Sequence, residues 1–438
     1  MGTSDRSRSL RRKSTAIGAA LLIGGLTGVG PATEAGAVPS PVVGSTYTWS
    51  GAAPKADSGW STSDNWQGDP TPPTSSSTDK LIFPLLECVK KTTCYDSNND
   101  VTGLTVTSLS MMLQGETSNN GFKKEYNLTG NGITLDGLST RFKKPSQKQL
   151  GQFGAITTPI TLGKAQTWSI GLLGGSNFYL GPISGDDSLT VTSPINDSEG
   201  FIEFEDDVEV GRLAFQGSTG GSNVIVPEVA VNGTDGKSVA FTDSSLFSDP
   251  YNASSSITYG PLTVTGSAFQ LGDGGGFGPY GLNSVDGSAS FDSASSITYF
   301  SLEPGSPATT DPTPGTDYPQ LSASGRVTLN SPSLSLNAGC DQTIGTTYTI
   351  VQATGGVIGT FAGIPDGTIL QANADQEASC TATGATAPYV EIDYQSDAVT
   401  ATVVAVPDSQ NRTGSHQAVT SERTAWVSSD GRNYGASI

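Results

Sequence analysis

Short runs in which apolar or β-branched residues alternate with polar ones follow one another from about Val101 to Val404, each cut off by Gly, Asn, Asp or Ser. Leu104-Thr-Val-Thr-Ser-Leu109, Ile133-Thr-Leu135, Ile160-Thr-Leu162, Leu189-Thr-Val191, Val224-Ile-Val226, Leu262-Thr-Val264 and Val327-Thr-Leu329 are examples. A period of two sends alternate side chains to opposite faces, which is what a half-buried strand requires. No window of a dozen residues holds a helical period, so the chain is expected to be all-β. Bundles and coiled coils are excluded: they need Ala, Glu, Lys and Leu at helical spacing, and this chain spends 55 residues on Gly and 25 on Pro.

Two all-β architectures compete. A sandwich array would break into units of about 100 residues with linkers between them. One candidate linker is visible, Glu303 to Thr316, with four prolines. A direct repeat, Ser255-Ser-Ile-Thr-Tyr259 and Ser295-Ser-Ile-Thr-Tyr299, lies 40 residues apart. A fixed offset is what stacked coils produce, each burying its apolar face on its neighbours. The expectation is a parallel β-solenoid. At ~20 to 25 residues per coil and ~4.8 Å per strand it would hold ~12 to 15 coils in a rod of ~60 to 70 Å.

Particular phrases carry a family resemblance. Trp49-Ser-Gly51, Trp60-Ser61, Asn65-Trp66, Pro72 and Leu81-Ile-Phe83 form the opening. Pro159-Ile-Thr-Leu162, Gln166-Thr-Trp168, Leu180-Gly-Pro-Ile183-Ser-Gly185 and Leu189-Thr-Val191 read as one full repeat. Tyr318 to Leu321, Gly325 to Leu329, Leu334, Leu336, Tyr348 to Ile350, Gly359 to Phe361 and Tyr394 to Val399 form the close. Over about residues 45 to 404 the chain resembles passenger-like proteins built from autotransporter-associated β-strand repeats. The resemblance implies a right-handed parallel β-helix at the cell surface or in the medium. One departure is that no translocating barrel follows Val404, only a polar tail, as in exported forms from single-membrane bacteria.

An open-ended solenoid needs covers at both ends. The expected organisation is a signal peptide at 1–37, an N-terminal cap region at 38–100, a β-helix body at 101–338, a C-terminal cap segment at 339–405 and a polar tail at 406–438. Four cysteines, Cys88, Cys94, Cys340 and Cys380, fall in the two cap regions. An oxidising compartment favours two disulfides. Three pairings are open; Cys88–Cys94 with Cys340–Cys380 is expected because each pair sits within one end. Trp49, Trp60 and Trp66 either cap the apolar end or form a platform for sugar stacking.

Export is expected. Arg6, Arg8, Arg11, Arg12 and Lys13 precede the apolar run Ala16 to Gly30, and Ala35-Gly36-Ala37 offers cleavage before Val38. No later run is long and apolar enough to span a membrane. The whole chain has 22 basic and 41 acidic residues, a net charge of −19. That balance argues against a nucleic-acid partner.

The chemistry legible in the chain is sparse. The single histidine, His416, leaves no His-based triad or multi-His metal site. Asp186-Asp187 and the cluster Glu203, Glu205, Asp206, Asp207 and Glu209 invite an acid–base pair for glycoside cleavage, with Glu203, Glu205, Asp207 and Glu209 sharing a face if the strand continues. A solvated acidic face explains them as well. Asp96-Ser-Asn98-Asn-Asp100 has calcium-loop oxygen spacing without its turn glycine or closing glutamate, so it reads as a loop. Gly236-Lys237-Ser238 ends like a phosphate loop, but Val231 replaces the first glycine. Lys123, Lys124, Arg141, Lys143, Lys144 and Lys148 gather within 26 residues of an acidic chain and form a candidate polyanion contact, either with wall polymer or merely with solvent. No catalytic residue, metal or cofactor is assigned. The expected protein is a secreted, non-enzymatic β-helix, adhesin-like or structural, whose partner is cell-wall or extracellular polysaccharide. The rival readings are a polysaccharide-active hydrolase or lyase and a carbohydrate-binding module.

Overall fold

The computed structural model describes residues 45–407, apart from 54–56, 68–70, 74–78, 87–94, 114–125, 143–152, 172–176, 193–200, 205, 217–221, 226–229, 232–237, 249–256, 273–281, 303–310, 341 and 375–387, together with the strands Thr424–Val427 and Asn433–Ala436. These residues form a β-solenoid with three faces. The first face is one sheet of 13 strands, the second one sheet of 11. The third is a five-stranded sheet over the early coils and an eight-stranded one over the later coils. Each coil visits the second, third and first face in turn. From Asp96–Asn99 to Val357–Thr360 this makes ten three-strand coils.

Some coils have the expected length and others exceed it. Along the first face the register advances 23 residues from Gln166 to Leu189 and 38 from Ala289 to Val327. The direct repeat is not the coil period. Ile257–Tyr259 lies on the third face, paired with Leu282–Val285, whereas Ser296–Leu302 lies on the second, paired with Ala268–Leu271 and Ser333–Ala338. The pattern Ile-Thr-Tyr suits any strand with an inward aromatic, and Tyr259 and Tyr299 are both buried. By contrast Ile160 pairs with Ile183 and Gln166 with Leu189, so the phrase 159–191 does span one turn of the solenoid.

Stacked coils align like residues into interior ladders. On the third face Leu104, Ile133, Ile160, Ile183 and Val208 stand in register, all buried. On the second face Leu128, Ile156, Leu180 and Phe204 do the same. Trp168, Val191, Phe215, Phe241, Val264, Phe291 and Leu329 run along the first. Phe215 and Phe241 stack with ring centroids 4.9 Å apart. Each such side chain contributes about 1.5–3 kcal/mol on burial, so the ladder, not any single coil, holds the rod.

The corner leading into the first face is short in every coil but one, the step from Val231 to Ser238. Val106 to Ser108, Leu135 to Leu138, Ser184 to Ser188, Val285 to Ala289 and Ala323 to Val327 each span it in a few residues. Glycine makes this possible. A Cβ on Gly211 would lie 2.1 Å from the Asp186 carbonyl oxygen, and one on Gly325 2.6 Å from Gly287 backbone. Longer connections leave the other corners, between Leu113 and Tyr126 or between Leu302 and Gln320.

The two ends are built differently. At the N-terminal end Thr46–Trp49 pairs parallel with Lys80–Phe83 and antiparallel with Trp66–Gln67. Asp96–Asn99 is a strand, not the expected loop. It pairs with Asn127–Gly130, and its free edge is covered by Trp60 N bonding Asn98 O at 3.0 Å and Asn98 N bonding Ser58 O at 2.8 Å. At the C-terminal end Thr347–Ala353 pairs antiparallel with Ala398–Val404, which pairs with Tyr389–Tyr394, itself paired with Thr368–Gln371. That reversal ends the parallel stack. Within the expected polar tail, Thr424–Val427 and Asn433–Ala436 pair antiparallel. Among the described residues no helix is long and apolar enough to cross a membrane.

Candidate functional site

Each residue singled out from the sequence has a definite place or lies outside the described residues. Trp49 and Trp60 are 0 % exposed and Trp66 is 5 % exposed. The three rings pack edge-on or tilted against each other and Phe83 at 5.2 to 6.1 Å. Trp60 Nε1 donates to Ser97 Oγ at 2.5 Å and Trp66 Nε1 to the Trp60 carbonyl at 2.8 Å. No ring face is open to a sugar while the cap is closed. Cys88, Cys94 and Cys380 lie outside the described residues, and so does the pairing expected for them; Cys340 has no free thiol.

Lys123, Lys124, Lys143, Lys144 and Lys148 also lie outside the described residues. Arg141 sits on the strand Leu138–Phe142 of the first face, exposed, in register with Met112. The acidic cluster does not share a face. The strand Phe201–Phe204 ends on the second face and Val208–Glu209 begins on the third, so the corner between them separates Glu203 from Glu209. Glu205 lies outside the described residues. Among the described residues no three His, Cys, Asp or Glu side chains group as metal ligands.

What the sequence reading did not isolate is the outer side of the first face. Its 13 strands contain no Asp or Glu, in a chain where 41 of 438 residues are acidic. Every Lys and Arg among the described residues lies on this face or at the turn leading into it: Lys80, Arg141 and Arg212 within strands, Lys164 and Arg326 immediately before them. One ion pair is found among the described residues, Lys164 Nζ to Asp136 Oδ2 at 3.2 Å. Arg141, Arg212 and Arg326 take part in none.

Outward side chains on this face form rows across the coils. One row reads Ser110, Ser139, Ser169, Thr192, Gln216, Thr242 and Thr265. The adjacent row reads Thr167, Thr190, Ala214, Ala240, Thr263, Ser290 and Thr328. A third row carries the cations. Ser188, Arg212 and Ser238 are register partners. Ser238, Pro261, Ser288 and Arg326 continue it, since Val239 N bonds Pro261 O at 2.8 Å, Leu262 N bonds Ser288 O at 2.9 Å and Ala289 N bonds Arg326 O at 2.9 Å.

Between these rows lies an open groove of about 570 Å³, lined by Ser238, Thr263, Ser288, Ser290, Thr328 and Arg326 among others. Ser288 Oγ accepts the Arg326 amide at 3.2 Å, which fixes where that arginine leaves the backbone. The arrangement offers hydroxyl groups in rows, one strand spacing apart, beside unpaired guanidinium groups. Such groups can donate and accept hydrogen bonds without any covalent step. A sequence signal for it existed: Gly211-Arg212-Leu213 and Gly325-Arg326-Val327 place the same Gly-Arg-aliphatic triplet at the same corner. No family model, curated protein or solved structure matches the chain.

Proposed function

We propose that this is a secreted, non-enzymatic β-helix protein of the cell surface or extracellular space, adhesin-like or structural, with the outer side of the first face as its contact surface. The observation that carries the reading is the charge distribution of that face: its strands hold no carboxylate, the acids nearest to it, such as Asp136, Asp187 and Asp286, stand at the turns leading into it, and every described cation lies on the face or at those turns. A rod that is otherwise acidic stays soluble and resists self-association, while the one side whose strands hold no carboxylate is the side best able to approach an anionic surface. The resemblance to autotransporter-associated repeat passengers, a right-handed coil, cleavage before Val38 and end disulfides Cys88–Cys94 and Cys340–Cys380 belong to the same proposal.

Retention of the purified mature chain on whole cells tests the reading. Thr190→Glu, Thr263→Glu and Ser290→Glu together put three carboxylates on the contact face without touching the interior. The triple variant should lose most of its retention while keeping its circular dichroism. Unchanged retention would remove the face from the proposal.

A further inference from the structure

Arg212 and Arg326 stand in one outward row, four coils apart, with Ser238 and Ser288 between them and Thr263, Ser290 and Thr328 in the row alongside. Four strand spacings make about 19 Å. A guanidinium group forks onto a carboxylate with two parallel hydrogen bonds, and hydroxyls in rows suit hydroxyls on a partner. Resting on the reading of this face as a contact surface, we infer that the outward row from Arg212 to Arg326, with the groove that Ser238, Ser288 and Arg326 line along its later coils, binds a linear carboxylated polysaccharide laid along the solenoid axis.

The chemistry selects this occupant on three grounds. The cations are sparse, and Ser238, Thr263, Ser288 and Ser290 stand among the rungs between them, which fits a polymer that presents carboxylates among many hydroxyls. Nucleic acid carries a charge about every 1.7 Å of duplex and asks for many more cations than this row supplies. A neutral glycan would find no use for unpaired arginines and, among the described residues of these rows, no aromatic ring to stack on. An exposed ion pair contributes little by itself, so affinity comes from repetition along the row. Binding is therefore expected to be modest for a short oligomer and to rise steeply with its length.

The experiment titrates the full mature chain with polygalacturonate of defined lengths, with neutral dextran and dextran sulfate as comparisons. Polygalacturonate long enough to span both arginines should bind, dextran should not, and raising salt from 50 to 200 mM should weaken binding, because exposed charges are screened over about 8 Å at physiological ionic strength. Arg212→Gln with Arg326→Gln should cost at least about fivefold in affinity. Arg212→Lys with Arg326→Lys should lie between, keeping charge and losing the fork. A charge-matched control, Lys90→Gln with Lys91→Gln, should change affinity less than twofold. Dextran sulfate bound tightly and polygalacturonate not at all would overturn the carboxylate assignment. Equal loss in the control would show general charge attraction and no site. Sedimentation in which wild type self-associates and the arginine variant does not would make the face a contact between copies. Failure to bind polygalacturonate with retention on cells intact sinks this inference and leaves the contact-surface reading standing.

Discussion

The two ends of the solenoid meet the same physical requirement, an exposed apolar cross-section, in opposite ways. The N-terminal end closes it with bulk: Trp49, Trp60, Trp66 and Phe83 fill the opening and their polar atoms are hydrogen-bonded. The C-terminal end closes it with direction, turning parallel strands into an antiparallel meander. Tyr394 locks that turn. Its hydroxyl accepts the Phe361 amide at 3.0 Å and donates to the Ile364 carbonyl at 2.9 Å, which occupies an edge the last coil would leave open. The cost of closing by direction is incomplete cover. Ile344, Ile358, Ile369 and Val406, 44 to 66 % exposed, are the exposed large hydrophobics among the described residues, and all lie at this end. Aromatic packing seals; strand reversal merely stops.

The comparison breaks most readily at Trp60. Trp60→Ala removes a fully buried indole and orphans Ser97 Oγ, so it should cost about 3–5 kcal/mol. Hydrogen exchange should show protection lost first in the N-terminal coils; loss that begins at the C-terminal end would reverse the roles given to the two caps. Tyr394→Phe keeps the ring and deletes two hydrogen bonds, for about 1–2 kcal/mol. The Phe361 amide should then exchange faster while the Trp60 amide does not change.

Acid should loosen one end alone. Burial pushes the Asp100 carboxyl up, but the hydrogen bonds from the Ser61 hydroxyl and amide outweigh it and hold it below its ordinary 3.8. A carboxyl depressed in the folded state stabilises fully above its unfolded value and loses that contribution as pH falls through the lower folded value. Exchange at the Ser61 amide should therefore quicken as pH drops below 3.8, and Asp100→Asn should remove that pH dependence. The Phe361 amide, held by a tyrosine hydroxyl, should be indifferent over the same window. The smallest effect is expected at Ile369→Thr, within about 0.5 kcal/mol of neutral by urea denaturation. A cost above 1 kcal/mol there would mean that the C-terminal isoleucines are covered after all.

The fold was legible where strands alternate and illegible where they do not. Ile160-Thr-Leu162 and Leu189-Thr-Val191 announce themselves because an apolar ladder needs an aliphatic at every second position. Asp96-Ser-Asn98-Asn99 hides, since its inward residues are polar: Ser97 accepts an indole N–H and Asn99 Nδ2 donates to the Asn131 carbonyl at 2.6 Å. A strand at the rim can bury hydrogen-bonded polar groups in place of carbon. The contact face escaped for another reason. Register is a property of coil length, and coils of unequal length scatter Arg212 and Arg326 over 114 residues of sequence although one row holds both. The lysine cluster is conspicuous in the chain because its members are close in sequence, which says nothing of which face they serve.

The short glycine corner has a consequence for how such a chain can change over generations. Insertions of a few or many residues are absorbed at the other two corners, as the spacings from Leu113 to Tyr126 and from Leu302 to Gln320 already show. At the corner before the first face even one methyl group meets backbone, at Gly211 and again at Gly325. Length drift therefore falls mainly on two sides of the rod, with the step from Val231 to Ser238 the exception at the third. The third behaves as a ruled edge, on which the order of outward side chains survives while everything around it is free to grow.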